Sequence, residues 1–157
     1  MAIDVDTVLE AFQPTLFIPK LKAKKKDTVL KEMVEKVCAS GIVRDADPLL
    51  EMLRSRERLG STGIGRGVAV PHGRSLAVPR LVAVLGLLSR GIEWDAVDGE
   101  PVRVVFLILA PPLEQSSRYL PFLGRIVETV SDDQRRDQLT GITTYEQFQE
   151  IIRDALA

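Results

Sequence analysis

Apolar residues recur along this chain with two different periods, and each period predicts a different kind of element. Between residues 25 and 40 they recur at helical spacing and form one face of an amphipathic helix. The residues of that face are Val29, Leu30, Met33, Val34, Val37 and Cys38. Gly41 is well placed to end this helix. Asp47 and Pro48 then predict an N-cap and a first helical residue for a second helix that continues to about Leu59.

Three apolar stretches in the middle of the chain predict strands, at residues 68–70, 81–88 and 102–109. The last two are nearly continuous aliphatic runs, which is the pattern of strands covered on both faces. Residues 95–100 lie between them, read Asp-Ala-Val-Asp-Gly-Glu, and predict a turn.

Further helices are predicted towards both ends of the chain. Residues 4–12 predict a short helix, and residues 16–18 a short strand. A helix from about 117 to 130 is expected to bury Leu120, Leu123, Ile126, Val127 and Val130. Capping-box spacing at residues 131–134 and 144–147 predicts two more short helices. The last of these has an apolar face of Phe148, Ile151, Ile152 and Ala155. Together the elements predict a single α/β domain with helices flanking a central sheet.

Composition fits one domain and excludes several classes of protein. Of 157 residues 45% are hydrophobic, and 21 basic side chains balance 22 acidic ones, unlike the basic excess of a nucleic-acid-binding protein. The longest apolar run, residues 104–113, contains two prolines and is shorter than the ~20 residues of a membrane-spanning helix. The N-terminus is acidic and does not resemble a signal peptide, and Cys38 is the single cysteine. We therefore expect a cytoplasmic protein without membrane insertion.

The segment from Arg56 to Gly73 concentrates the residues suited to chemistry. It has four glycines within eight positions, followed by His72, the only histidine of the chain. A glycine-rich loop can direct backbone N–H groups at an anion, and Arg56 and Arg66 would add positive charge. Neutral imidazole is a nucleophile near pH 7, because its ordinary pKa is about 6.5. The segment therefore predicts phosphoryl chemistry at His72.

Other common kinds of site find little support. The glycines match neither the P-loop nor the G-x-G-x-x-G pattern of nucleotide sites. One histidine and one cysteine are too few for a zinc cluster, so we expect neither a metal nor a cofactor. Ser61, Asp95 and Asp98 leave a Ser-His-Asp hydrolase formally open, but the chain has no G-x-S-x-G elbow.

Two stretches of the chain are informative together. The first combines Arg56-Glu57, Gly60-Ser-Thr-Gly-Ile-Gly65 and Val68-Ala-Val-Pro-His-Gly73; the second is Trp94-Asp-Ala-Val-Asp-Gly-Glu-Pro-Val102, which leads into a strand ending at Ala110-Pro111. They resemble the IIA domains of the bacterial phosphoenolpyruvate-dependent phosphotransferase system, in the fructose/mannitol class that includes the nitrogen-regulatory IIA proteins. The likeness covers nearly the whole chain. It implies one IIA domain over residues 1–157, with a mixed central β-sheet sandwiched between helices.

The resemblance also implies roles for individual residues. His72 falls at the family's phospho-acceptor, which takes a phosphoryl group from an HPr-like carrier. Arg56 falls at an arginine that reaches this group. The loop lining the site corresponds to Ser61, Thr62, Gly63 and Gly65. Tyr119 falls where the family usually has a second histidine, so that a neutral phenol replaces an imidazole.

The function stays open between two classes of protein. One is a phosphocarrier of nitrogen-regulatory type, which passes the phosphoryl group from His72 to a downstream IIB domain or regulatory target. We favour this branch because no sugar-transport domain is fused to the chain. The other is a binding module whose affinity for a regulatory target is switched by phosphorylation. A sugar-transport IIA subunit is a third, related possibility, and the oligomeric state does not follow from the sequence.

A basic run and an isolated tryptophan each allow two interpretations. Five lysines fall within residues 20–26 and form either a solvated helix entrance or a docking patch for an acidic partner. Trp94 is interpreted as a packing residue beside a turn. For Arg66, contact with phosphate and exposure to solvent are equally compatible with the sequence.

Overall fold

The structure is a computed structural model, and it describes residues 3–112 and 118–157. The helices in these ranges are α1 (Val5–Glu10), α2 (Lys26–Ala39), α3 (Ala46–Leu59), α4 (Tyr119–Val130), α5 (Asp133–Gly141) and α6 (Tyr145–Leu156). The strands are β1 (Phe17–Ile18), β2 (Gly63–Gly65), β3 (Val68–Ala69), β4 (His72–Arg74), β5 (Val82–Ile92) and β6 (Val102–Ala110). No helix within the described ranges is long and apolar enough to cross a membrane.

The strands form one mixed sheet in the order β1-β5-β6-β3-β2, with β4 also paired to β6. The central pair, β5 and β6, is antiparallel. The short strands β3 and β4 both run parallel to β6, and β1 runs parallel to β5. The predicted mixed sheet is thus confirmed, and its short strands β3 and β4 follow one another along the same side of β6.

Helices cover both faces of the sheet, which explains why β5 and β6 are nearly continuous aliphatic runs. Alternate residues such as Leu85 and Phe106 belong to a core shared with α1, α4, α5 and α6. The intervening residues, such as Val84 and Leu107, belong to a second core shared with α2 and α3. Because both faces are buried, neither strand shows the polar alternation of a half-exposed sheet.

The two cores differ in their aromatic content. Phe12, Phe106 and Phe148 pack together in the first, with ring centroids 4.8–6.3 Å apart. The second contains Trp94, which is fully buried. Cys38 lies half-buried at the edge of the second core, where burial raises the pKa of its thiol.

Two predicted helix starts were wrong by one or two residues. The N-cap of α3 is Asp45, whose carboxylate accepts from the backbone N–H of Asp47. Pro48 therefore lies in the first turn, where its missing N–H costs little. The N-cap of α5 is Asp132, not Ser131, because the Ser131 hydroxyl donates to a carbonyl at the end of α4 instead. At α6 the predicted capping box of Thr144 and Gln147 is confirmed.

The predicted face of α4 was wrong at two positions. Ile126 and Val130 are buried as expected, but Leu120 is 69% exposed and Val127 45% exposed. Tyr119 and Phe122 are buried in their place, because the helix turns its aromatic side chains towards the first core. The predicted helix start at Ser117 lies outside the described residues.

Candidate functional site

The glycine-rich segment folds largely as a β-hairpin, which the sequence prediction missed. Strands β2 and β3 are joined by Arg66 and Gly67, whose φ angles of 57° and 83° suit a tight type I′ turn. Backbone N–H groups of Arg66 and Glu100 donate to the Asp98 carboxylate and hold its pKa below the usual range. The Arg66 guanidinium lies 3.4 Å from Asp133 on α5 and is largely exposed. Arg66 thus faces solvent and a neighbouring helix.

His72 begins β4 and pairs with Ile108 near the carboxyl end of β6. The preceding Pro71 is buried, and its carbonyl accepts from the Ile108 N–H at 3.0 Å. Nδ1 of His72 lies 2.7 Å from the carbonyl oxygen of Val70. A carbonyl oxygen only accepts, so Nδ1 carries the proton in this hydrogen bond. In the tautomer that this bond selects, Nε2 of the half-buried ring keeps its lone pair.

Gly73 lets helix α3 approach the strand that carries His72. A Cβ atom at this position would lie 2.1 Å from the Met52 sulfur, which is far too close for two non-bonded atoms. A larger residue would force the Met52 side chain of α3 to move away from β4. Arg56 lies one turn further along the same helix.

Tyr119 and Arg74 flank the histidine. The ring centroids of His72 and Tyr119 are 6.3 Å apart, which places the first turn of α4 against the site. Arg74 is two residues beyond His72 on β4, so both side chains leave the same face of the strand. Its guanidinium lies 4.7 Å from the Tyr119 ring centroid and donates to the Pro112 carbonyl at 3.0 Å. Such a cation–π contact holds the arginine beside the histidine.

Arg74 is the site residue that sequence reasoning missed. The signal was its spacing of two residues from His72, which places two side chains on one face of a strand. That signal has meaning only if the segment is a strand, and residues 72–74 read His-Gly-Arg, which lacks the residues typical of strands.

The Tyr119 phenol keeps its proton near neutral pH. Burial raises its pKa, and the positive charges of Arg74 and Arg56 only partly oppose this effect. Tyr119 can therefore donate a hydrogen bond but carries no charge.

Arg56 lies near the end of α3, and its Nη1 donates to the Gly60 carbonyl at 2.8 Å. Within the described ranges it forms no ion pair with a carboxylate. The neighbouring Glu57 pairs with Lys26 instead, at 2.9 Å. The Arg56 charge is therefore left for another anion.

Glu57 holds the loop after α3 in place. Its carboxylate is only 8% exposed and accepts from the backbone N–H of Thr62 at 3.3 Å, and also from the Thr62 hydroxyl. The indole Nε1–H of Trp94 donates to the same hydroxyl at 3.2 Å. Trp94 thus packs as predicted and in addition fixes the orientation of a loop side chain.

The four residues assigned to a phosphate loop do not all lie near His72, and two of their backbone N–H groups are already hydrogen-bonded. Ser61 donates to the Trp94 carbonyl at 2.8 Å and accepts from the Gly63 N–H at 3.0 Å. The N–H groups of Thr62 and Gly63 therefore already have protein acceptors. Gly65 pairs with Val68, which pairs with Val104 of β6. Val104 lies four positions before Ile108, which is the partner of His72 on β6. Gly65 therefore lies about 13 Å along the sheet from the level of His72.

Comparison with known proteins agrees with this arrangement. The family model described as phosphoenolpyruvate-dependent sugar phosphotransferase system, EIIA 2, matches residues 10–155. A nitrogen regulatory protein of Bradyrhizobium diazoefficiens is 35% identical over 128 residues, which are 80% of this chain and 80% of that protein. The 2-O-alpha-mannosyl-D-glycerate-specific EIIABC component of Escherichia coli is 29% identical over 130 residues, which are 82% of this chain but 20% of that protein's length.

Solved structures share the fold over almost their full length. The nitrogen regulatory protein IIA-Ntr of Neisseria meningitidis superposes with a TM-score of 0.84 at 26% identity, covering 93% of this chain and 99% of that one. Enzyme IIA mannitol of E. coli, solved in complex with phosphorylated enzyme IIB mannitol, shares the fold alone, with a TM-score of 0.75 at 18% identity over 91% of this chain and 99% of that one. The chain therefore belongs to the EIIA 2 family of the phosphoenolpyruvate-dependent sugar phosphotransferase system.

Proposed function

We propose that this protein is a phosphohistidine carrier that accepts a phosphoryl group on Nε2 of His72. The observation that carries the proposal is the hydrogen bond from Nδ1 to the Val70 carbonyl, which leaves Nε2 as the nucleophilic atom. Nε2 attacks the phosphorus of a phosphohistidine on an HPr-like donor. A new P–N bond forms while the donor's P–N bond breaks, and the donor imidazole leaves with that electron pair. The His72 ring then carries a positive charge, and its Nδ1–H still donates to Val70.

Side chains around His72 supply the charge that this transfer needs. Phosphoryl transfer depends mostly on positioning and on the stabilisation of the equatorial oxygens. Arg56 and Arg74 both lie close enough to act on the Tyr119 phenol, which itself contacts the His72 ring. We assign the two arginines to the phosphoryl oxygens as charged donors and Tyr119 as a neutral donor. The site thus uses two guanidinium groups and a phenol beside a single imidazole.

The glycine-rich segment acts mainly as a scaffold in this proposal. The N–H groups of Thr62 and Gly63 are engaged by Glu57 and Ser61, and Gly65 shapes the far end of the hairpin. Ser61 and Thr62 hold the loop against Trp94, and so position Gly60 and the Arg56 guanidinium bound to it. A direct contact of Ser61, Thr62, Gly63 or Gly65 with phosphate stays a prediction.

The partners follow from the reaction and from the family. The donor is an HPr-like phosphocarrier, and the acceptor is a IIB domain or a regulatory target protein, in the cytoplasm. Similarity to nitrogen regulatory proteins, at 32–35% identity over about four fifths of the chain, favours the regulatory role. The second candidate is a switch, in which phosphorylation changes the affinity for a target without onward transfer. Tyr119 stands where the family usually has a second histidine, and this difference favours the switch. A neutral donor stabilises developing charge less than a charged one.

A discharge experiment separates the carrier from the switch. Protein phosphorylated by enzyme I and an HPr-type carrier is mixed with an excess of a fructose- or mannitol-class IIB domain. The HPr-type carrier is removed first, since either kind of protein can return its phosphoryl group to it. A carrier then loses its phosphoryl group to IIB within minutes, and retention of the group in the presence of IIB would exclude the carrier and leave the switch.

Replacing Tyr119 is expected to tune the transfer rate in both directions. Tyr119→His restores an imidazole and should raise the rate of exchange with the HPr-type carrier. Tyr119→Phe removes one neutral hydrogen-bond donor and should lower that rate about two- to twelvefold, since such a bond contributes about 0.5–1.5 kcal/mol. Because burial raises the pKa of Tyr119, the ratio of the wild-type and Tyr119→Phe rates should be constant from pH 6 to pH 9.

Rapid-quench kinetics with 32P-labelled HPr-type carrier measure both effects. Leu120→Ala serves as the control, because Leu120 is the next residue of α4 and is 69% exposed. Equal rates for wild type, Tyr119→Phe and Tyr119→His would mean that Tyr119 only packs beside the site.

A further inference from the structure

A cationic cleft lies at the opposite end of β5 from His72. It has a volume of about 830 Å³ and is walled by residues 20–24 and 88–93. His72 and Ala83 both pair with Ile108, whereas the cleft begins at Leu88, five residues further along β5. At about 3.3 Å per residue, some 17 Å of strand separates the two places. The cleft is therefore distinct from the phosphoryl-transfer site.

The first wall is a strap of chain that carries three exposed lysines. Lys20, Lys22 and Lys24 are exposed, while Leu21 is buried. The Leu21 N–H donates to the Leu87 carbonyl at 2.8 Å and continues the pairing of β1 with β5. The N–H groups of Lys22 and Ala23 donate to the Glu32 carboxylate at 2.9–3.1 Å. Two successive N–H groups thus converge on one carboxylate, and these bonds fix the backbone of the strap.

The second wall is a bulge in β5. Leu87 pairs with Val104 and Ile92 pairs with Val102, so the four residues 88–91 face the single residue Arg103. The Arg103 guanidinium donates to the carbonyls of Leu88 and Ser89, both at 3.4 Å. Gly91 lies against Pro101, where an added Cβ would come within 2.5 Å. The bulge is thus a packed feature, and it carries the exposed Arg90 on the cleft wall.

The charges of the cleft are unbalanced. Its four cations are Lys20, Lys22, Lys24 and Arg90, and its one carboxylate is Glu93, which already accepts from the Asp95 N–H. None of the four cations has a carboxylate within 4.0 Å in the described part of the chain. Beneath them, the buried side chains of Leu21, Leu88 and Ile92 form an apolar floor. A protein with a net charge of −1 thus presents one concentrated positive surface.

We propose that this cleft binds an extended acidic segment of a partner protein, in which acidic and apolar residues alternate. Successive side chains of an extended peptide point to opposite sides, so its carboxylates would face the cations while the intervening apolar side chains contact the floor. The cations lie on both walls of the cleft, so a chain of several acidic residues can reach more of them than a single phosphate or carboxylate anion. This docking does not depend on phosphorylation of His72, and it leaves that face free for the phosphoryl donor.

Fluorescence anisotropy with two labelled peptides of equal composition tests the proposal. One reads Glu-Leu-Glu-Leu-Glu-Leu, and the other reads Glu-Glu-Glu-Leu-Leu-Leu. We expect the alternating peptide to bind at least fivefold more tightly. Removing the strap charges with the triple variant Lys20→Gln/Lys22→Gln/Lys24→Gln should weaken its binding at least tenfold. The matched triple variant Lys31→Gln/Lys36→Gln/Arg44→Gln removes three exposed charges elsewhere and should change binding less than twofold.

Two further readouts locate the peptide. Amide NMR signals of Ser89, Arg90 and Gly91 should shift on titration with the alternating peptide, while the His72 ring signals stay in place. Phosphoryl uptake by the triple variant Lys20→Gln/Lys22→Gln/Lys24→Gln should equal that of wild type. A failure of docking is therefore distinct from a failure of the proposed function. Equal affinity of the two peptides, equal loss in the two triple variants, or displacement of the peptide by equimolar tripolyphosphate would each overturn the proposal.

Discussion

The variant Arg56→Ala is expected to take up phosphoryl groups on the order of 30- to 1,000-fold more slowly than wild type. Loss of one charged donor to a transition state costs about 2–4 kcal/mol, by analogy with the loss of an oxyanion donor. Arg56 fits this role because it has no carboxylate partner among the described residues and acts on the Tyr119 phenol. Arg56→Lys should recover only part of the rate, since lysine lacks the planar fork of arginine.

Single-turnover kinetics at saturating HPr-type carrier measure this effect on the chemical step. Arg58→Ala provides a matched control, because Arg58 lies two residues further along α3 and its side chain donates to Ser55. Arg56→Ala also removes the hydrogen bond to the Gly60 carbonyl. A urea unfolding curve should therefore accompany the kinetics, to measure any loss of stability separately. A rate within twofold of wild type, in a protein of unchanged stability, would assign Arg56 a purely structural role.

The variant Trp94→Ala is expected to lower the free energy of unfolding by about 3–5 kcal/mol. That is the usual cost of removing a large aromatic side chain from a packed core, and Trp94 is fully buried. Since a domain of this size has about 5–15 kcal/mol of stability, the variant should be only marginally folded at 37 °C.

Urea unfolding followed by far-UV circular dichroism measures this change, because Trp94 is the only tryptophan and its fluorescence is lost. Trp94→Phe is the informative control. It keeps much of the apolar contact but loses the indole N–H that donates to Thr62. We expect a smaller loss of stability in Trp94→Phe, together with slower phosphoryl transfer, since the loop that carries Gly60 and Thr62 is less firmly held. A loss below 1 kcal/mol in Trp94→Ala would contradict the packing described above.

The long elements of the fold were predictable because their pattern depends on burial alone. Strands β5 and β6 contain nearly continuous aliphatic runs since both faces are covered there, and α2 shows a single apolar face. The strands β2 and β4 were not predictable. Strand β2 reads Gly-Ile-Gly and β4 reads His-Gly-Arg, so they contain only one and two residues other than glycine. They form because β3 and β6 offer hydrogen-bonding partners. That information lies in tertiary pairing and not in the local sequence.

Helix α4 shows a different limit of sequence reasoning. Its sequence Tyr-Leu-Pro-Phe-Leu-Gly-Arg-Ile-Val is apolar on more than one side. The helical spacing therefore allows either of two faces to be the buried one. The aromatic contact between Phe12 and Phe122, with centroids 5.9 Å apart, decides between them. The same rotation buries Tyr119 beside His72 and exposes Leu120. The phase of this helix therefore decides which residue reaches the site.

The site itself was predictable only in part. The glycine-rich segment pointed to His72 and Arg56, and the resemblance implied their roles and added Tyr119. The structure brings His72 and Tyr119 into contact. Arg74 was missed because its position depends on the unpredicted strand β4. The glycines suggested an open loop of N–H donors, but two of those donors are satisfied by Glu57 and Ser61. Such internal hydrogen bonds depend on side chains that only the fold brings together.

The central claim is that Nε2 of His72 carries the phosphoryl group, and intact-mass analysis tests it most directly. The protein is incubated with phosphoenolpyruvate, enzyme I and an HPr-type carrier, and then compared with His72→Ala treated in the same way. The account predicts one added phosphoryl group in wild type, lost in acid and stable in alkali, with two-dimensional 1H–15N NMR of the ring placing it on Nε2. Absence of added mass in wild type, or uptake of the group by His72→Ala, would contradict it.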